Sequence, residues 1–291
     1  MARAAGARVR VSELAPPQQT TERPPLRAFR ALVEYDGTDF DGWQVQPGRR
    51  TVQSALEDAI HEITQQRIRV TGAGRTDSGV HAAGQVASFE ILTTLTPISL
   101  RRALNAVLAR DVAVLDLAEA PLGWNARRLA TARIYRYTIA RLRSPLAHRD
   151  AWEMWGQLDV ARMREASEIL LGEHDMRSFS VAIPLDRSSI VRLAGVDWRE
   201  TRADTGPPLL VAEFEANRFL RGMVRRLVGS LVLVGRGRWT LADLERALAA
   251  RDPQAGGPSA PARGLSLVRV AYPEPPFGPA QDRGDIPPPI V

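Results

Sequence analysis

The sequence predicts an α+β protein made of two copies of one β-α-β-β-α-β unit. Two observations carry this. Segments with period-two alternation and segments with helical apolar spacing follow one another in the same order twice, once the extra helix of the second half is set aside. Most of the helical segments also begin at a residue able to cap them, Thr51, Ser99, Asp159 or Thr240. With 291 residues and 44% hydrophobic content there is enough apolar material for a substantial core. Such a chain folds as two ferredoxin-like lobes with mainly antiparallel sheets, helices covering one face of each and the open faces forming a central cleft.

In order, Leu26 to Tyr35 reads as a strand closed by the turn dipeptide Asp36-Gly37. Thr51 opens a helix with Val52, Leu56, Ala59, Ile60 and Ile63 on one face. Arg67-Ile68-Arg69-Val70 suits a short strand, and Gln85 to Ile91 a longer one. Ser99 caps a helix carrying Leu100, Ala103, Leu104, Val107 and Leu108, and Val112 to Leu117 completes the first unit. The second unit runs from a strand at Ala130 to Ala140, through a helix from Asp159 that ends near Gly172, to strands at Ile190 to Trp198 and Leu209 to Ala216. An apolar helix over Phe219 to Val234, another capped by Thr240, and a strand over Leu265 to Tyr272 finish it. The lobes span 26–120 and 121–273, with a proline-bearing tail at 1–25 and another at 274–291 expected to be disordered.

Composition excludes several chemistries. There are no cysteines, so disulfides, thiolate metal sites and thiol nucleophiles are out. His61, His81, His148 and His174 are scattered without ligand spacing, which predicts no metal. The net charge is +6 and every basic position is arginine, the side chain suited to phosphates and to stacking on bases. No apolar run reaches the ~20 residues of a membrane span, and the N-terminus lacks the apolar core of a secretory signal, so a cytoplasmic protein is expected.

The chemistry concentrates in Thr71-Gly72-Ala73-Gly74-Arg75-Thr76-Asp77-Ser78-Gly79-Val80-His81, a strand-following loop with three glycines around a single acid. A tight structural turn is the plain reading. A dinucleotide fingerprint fails because Asp77 stands where the third glycine should be, and a P-loop fails for want of any lysine. No cofactor is therefore expected. Three further segments stand out. Asp36-Gly37-Thr38-Asp39-Phe40-Asp41-Gly42-Trp43-Gln44 is a loop of acids and aromatics, fit either to pack on the core or to touch a ligand. Trp124-Asn125-Ala126-Arg127 leads into a strand that sets Arg133, Tyr135, Tyr137 and Ile139 on one face, where a packed tyrosine pair is the plainer reading. In the segment from Asn217 to Gly229, Arg218, Arg221 and Arg225 fall at helical spacing opposite Phe219, Met223 and Leu227.

Together these segments, with Gly172-Glu173-His174-Asp175-Met176-Arg177-Ser178-Phe179, resemble the signatures of the tRNA pseudouridine synthase A family over about residues 28 to 272. The resemblance implies an isomerase that needs no cofactor or metal and converts uridine to pseudouridine in the anticodon stem-loop of tRNA, at tRNA positions 38, 39 and 40. It makes Asp77 the catalytic residue, Tyr135 the ring stacked on the target uracil, and Arg225 the partner of Asp77. Arg75 becomes the wedge that replaces a flipped base, and Arg127, Arg218 and Arg221 become phosphate contacts. It also implies a homodimer with one tRNA touching both subunits. Asn125 departs from the family's histidine, Trp124 from its phenylalanine, and Met176, read as a packing residue, from another phenylalanine. The competing reading from topology is a non-catalytic protein with tandem RNA-binding lobes.

Overall fold

The computed structural model describes residues 23–181, 188–201 and 206–278. Most of the expected tails, 1–25 and 274–291, lies outside these. The first half contains β1 (Leu26–Tyr35), α1 (Val52–Thr64), β2 (Thr71–Gly72), β3 (His81–Leu92), α2 (Pro97–Val107) and β4 (Val112–Ala120). The second contains β5 (Ala132–Ala140), β6 (Trp152–Glu153), α3 (Val160–Glu168), β7 (Gly172–Asp175), β8 (Ile190–Thr201) and β9 (Leu209–Ala216), then α4 (Met223–Gly235), α5 (Leu241–Ala250) and β10 (Leu265–Ala271).

The principal strands of the two halves have the same order. In the first, β4, β1 and β3 lie side by side with β2 on the far edge of β3; in the second the order is β10, β5, β9, β8, with β7 added outside. All pairings within these two sets are antiparallel. The predicted α+β class and its repeated unit are thus present. The sheets are not separate, however. Ser266 and Leu267 of β10 pair in parallel with His81 and Ala82 of β3, giving a single ten-stranded sheet. β2 is the reason: it pairs only with Ala87 and Ser88, leaving the start of β3 as an open edge, and an open edge is a template for another strand.

The shortness of β2 also departs from expectation, since Arg67 to Val70 is not a ladder strand. Its last peptide groups are answered by helix α1 instead. Glu57 accepts from the Val70 N–H at 2.9 Å and Gln53 donates to the Val70 carbonyl at 3.0 Å. Backbone groups satisfied by side chains have no need of a neighbouring strand.

Helix starts follow local capping chemistry. Thr51 and Ser54 form a reciprocal capping box, as do Thr240 and Asp243, and Asp159 accepts from Arg162 N–H. The cap of α2 is Thr96 rather than Ser99, which is the third helical residue and donates its N–H to Thr96; Pro97 occupies the first helical position, where its missing N–H is harmless. Gly172 does not end α3, whose cap is Ile169, but opens β7. The apolar helix begins at Met223, not Phe219. Gly222, at φ +69°, is its N-cap, and this left-handed turn takes Arg218 and Arg221 off the helix. Only Arg225 of the three arginines lies on α4. Within each half α1 packs on α2 and α3 on α4, while Phe29, Trp43, Tyr137, Phe179 and Phe214 are among the largest buried side chains.

Candidate active site

Asp77 stands in the connection between β2 and β3, and almost everything around it is tied down. The Ala73 N–H donates to the Val86 carbonyl at 2.7 Å. Gln85, fully buried, grips the Gly74 peptide from both sides: its amide donates to the Gly74 carbonyl at 2.9 Å and its oxygen accepts the Gly74 N–H at 3.3 Å. The Thr76 hydroxyl meets the Tyr35 hydroxyl at 2.8 Å, and the Thr76 carbonyl accepts from the Trp43 N–H at 3.1 Å. Beyond Asp77, the Gly79 N–H and the Ser78 hydroxyl both donate to the Phe40 carbonyl at 3.2 Å.

The loop of acids and aromatics after β1 is therefore a clamp. Trp43, 2% exposed, lies so close over Gly72 that any side chain there would run into the indole. That choice between packing and contact is settled by burial. Behind the loop, His81 Nδ1 accepts the Gly37 N–H at 3.1 Å and Nε2 faces the Arg149 carbonyl at 3.0 Å. Asp36 borders this junction. Its partial burial acts to raise its pKa, but hydrogen bonds from Thr38, the neighbouring His81 and a hydrogen bond from Arg149 outweigh that and hold it below the ordinary carboxylate value.

The Asp77 side chain itself remains 27% exposed. Its neighbours come from the second half. Gly74 sits over β5, where the Tyr135 hydroxyl is 3.5 Å from the point a side chain on Gly74 would occupy. Tyr135 is buried, 6% exposed, and stands edge-on to Phe219 with ring centroids 5.1 Å apart. Burial, then the nearby Tyr35 and the Asp77 carboxylate, push its pKa far above the usual tyrosine value, so the hydroxyl keeps its proton. Burial similarly pushes Tyr35 up to about 12.

Arg221 approaches Asp77, Nε to Oδ1 at 3.9 Å, with its side chain 79% exposed. Arg225 is the partner that the resemblance implies. Arg225 lies in the first turn of α4 and its Nε donates to the Ala260 carbonyl at 2.7 Å; among the described residues it forms no ion pair with Asp77. The Gly222 turn is the cause, because it swings Arg221 forward of the helix start. Arg218 is exposed and donates to the Ser188 carbonyl at 3.2 Å. Arg75 and Arg127 are exposed, Arg75 two residues before Asp77 on its loop and Arg127 in the turn that precedes β5. Asn125, the departure from histidine, accepts from the Arg127 and Arg128 N–H groups at 3.0 Å each and so fixes the turn that presents Arg127. Met176 is fully buried, which fits its reading as a packing residue. Among the described residues no three of His, Asp and Glu converge as a metal site requires.

The arrangement is one ionisable acid on a rigid loop, a buried tyrosine beside it, and exposed arginines around both. The model of the family described as tRNA pseudouridine synthase matches residues 31–127 and 166–273, which takes in Asp77, Arg127, Arg218, Arg221 and Arg225. The chain belongs to the tRNA pseudouridine synthase A family. A relative of that name from Chloroflexus aurantiacus is 44% identical over 255 residues, covering 85% of this chain and 90% of the relative. One from Rhizobium meliloti is 44% identical over 249 residues, 84% of this chain and 99% of the relative. One from Geobacter sp. (strain M21) is 38% identical over 252 residues, 86% and 100%. Membership makes the chain an isomerase of tRNA pseudouridine synthesis. No helix among the described residues is long and apolar enough to cross a membrane.

One residue of the site had no role in the sequence reading. Arg133 is only 9% exposed and lies at the start of β5, two residues before Tyr135. Its guanidinium donates to the Ala73 carbonyl twice, at 3.2 and 2.8 Å, to Ala130 at 3.1 Å, to Arg127 at 2.9 Å and to Asn217 at 3.0 Å. The sequence signal was an arginine alternating with tyrosines on an otherwise buried strand face, which asks for buried acceptors.

Proposed function

We propose that the chain isomerises uridine in the anticodon stem-loop of tRNA, at tRNA positions 38, 39 and 40, with Asp77 as its catalytic nucleophile or base. The observation that carries the proposal is the pairing of a rigidly held, partly exposed carboxylate with a buried tyrosine and flanking arginines. A uridine inside a stacked stem is out of reach, so it must be flipped out, with Arg75 as the wedge in the vacated space. Tyr135 stacks on the uracil. Arg127, Arg218 and Arg221 hold phosphates, reading the stem-loop mainly by shape.

In the reaction the N1–C1′ bond breaks and a C5–C1′ bond forms, while N1 gains a proton and C5 loses one. Nothing is gained or lost overall, so one acid-base residue suffices. Three routes are open to Asp77: addition to the uracil ring, attack at C1′, or removal of a ribose proton to give a glycal. For the C5 proton, the Tyr135 hydroxyl beside the acid is the group that accepts or relays it, passing its own proton toward Asp77 in the relay. Arg225, at the start of α4, is the third member of the catalytic set, and the working unit is a homodimer in the cytoplasm.

The test is an unmodified tRNA transcript incubated with purified protein and no added cofactor, followed by mapping of pseudouridine. Pseudouridine at 38 to 40, lost in Asp77→Asn with tRNA binding kept, supports the reading. Its formation elsewhere, or its persistence in Asp77→Asn, overturns the site or the residue respectively.

A further inference from the structure

The buried cation at the base of the site has no role in the reaction as drawn above. All five N–H donors of the Arg133 guanidinium are used, on four main-chain carbonyls, and among the described residues it forms no ion pair with a carboxylate. A buried charge answered only by neutral dipoles is an expensive arrangement if the sole purpose is stability, because an apolar residue of similar size packs without the desolvation penalty. What only an arginine can do here is reach four points at once from a planar fork.

Those four points belong to three segments remote from one another in sequence. Ala73 lies in the Asp77 loop, four residues before the acid; Arg127 and Ala130 lie in the turn that presents Arg127; Asn217 immediately precedes Arg218. The fourth element in the junction is β5 itself, which carries Tyr135. We propose that Arg133 is a positioning residue that sets the register of the Asp77 loop against Tyr135 and against the two arginine-bearing segments. This rests on the reading of Asp77 and Tyr135 given above.

Two facts support a geometric rather than an electrostatic role. The guanidinium is spent on carbonyls, so it has no donor left for Asp77 or for substrate. Gln85, Val86, Tyr35 and the Phe40–Trp43 clamp hold the loop from the first half, and Arg133 ties its main chain at Ala73 to two segments of the second half. A lysine keeps the charge but has three donors on a single nitrogen and cannot span the four carbonyls.

The experiment uses full-length Arg133→Lys and Arg133→Gln with unmodified tRNA. It measures thermal midpoint, tRNA affinity, and the single-turnover rate at saturating tRNA well below each variant's midpoint. Because a misplacement of about 1 Å can cost on the order of 100-fold, Arg133→Lys should turn over roughly 10- to 100-fold more slowly while holding tRNA within about threefold of wild type. Arg133→Ala should recover part of its rate when guanidinium is added at concentrations that leave the wild type unaffected. A wild-type single-turnover rate for Arg133→Lys overturns the inference, as does a rate loss that only tracks the unfolded fraction. Should Arg133→Gln or Arg133→Ala fail to fold, Arg133→Lys decides alone. Asp77→Asn run in parallel separates the two levels: if it is inactive while Arg133→Lys is normal, only the role of Arg133 falls. If Asp77→Asn is active, the reading of the site falls with it.

Discussion

The two halves of the molecule share a strand order and differ in what their connections carry. In the first half, the link between β2 and β3 bears Asp77 and is held from its own half by neutral partners, Gln85, Tyr35 and main-chain groups of the Phe40–Trp43 loop. The link between β3 and α2 is chemically plain there, closed by Thr96 and Pro97. In the second half the corresponding link, from β9 to α4, has Arg218 and Arg221 exposed and ends in Gly222 instead of a hydroxyl cap. One half thus presents the acid on a tied loop; the other presents cations on exposed side chains. A repeated scaffold sets where connections emerge, and the connections set the chemistry.

The sharpest way to break this comparison is Asp77→Asn. It should abolish isomerisation with tRNA affinity changed only a few-fold, and turnover by the pure variant would remove the acid from its place. Next is Tyr135→Leu, which should weaken productive tRNA binding by about one to two decades, since base–aromatic stacking is worth roughly 1–3 kcal/mol. Tyr135→Phe should bind almost normally and react more slowly in a single turnover; an unchanged rate would deny the hydroxyl a part in proton transfer.

Rigidity on the acid side is tested by Gly72→Ala. The added methyl meets the Trp43 indole, and overpacking of this kind costs about 1–3 kcal/mol, readable as a lower denaturant midpoint. An unchanged midpoint would mean that the clamp gives way easily. On the cation side, Arg221→Met should lower tRNA affinity only a few-fold and reduce the salt dependence of binding by about one unit of slope, as expected for one exposed phosphate contact. A large fall in single-turnover rate instead would make its approach to Asp77 catalytic. The smallest effect concerns pH. The folded state holds the Tyr35 proton up to about 12, above the ordinary tyrosine value, so this group's contribution is complete below about pH 10 and is lost as pH rises toward 12. Tyr35→Phe should therefore show a shallower alkaline loss of stability in denaturant titrations from pH 9 to 12.

The elements that were legible in the sequence are those fixed by local rules. β1 and β9 match their alternating runs to the residue, and Thr51, Asp159 and Thr240 cap as their side chains dictate. Asp77 and Tyr135 could be singled out because the resemblance pointed to them. What escaped depends on partners distant in sequence. The backbone around Val70 left the ladder because Gln53 and Glu57 answered it from another element. The arginine face expected over Phe219 to Val234 dissolved because a single glycine reset the chain direction, and with it which arginine approaches Asp77. The hub made by Arg133 needs three separate segments to converge, and no window of sequence contains them.

The parallel contact of β10 with β3 bears on the timing of synthesis. Chains fold from the N-terminus as they emerge, and pairings between distant segments close last. The hairpin with Asp77 can therefore settle on β1 early, while β10, late in the chain, slots between β3 and β5 and joins the two sheets. On the ribosome the Asp77 loop is therefore made well before the strand that joins its sheet to the second half. The last strand works as the fastener between the two halves.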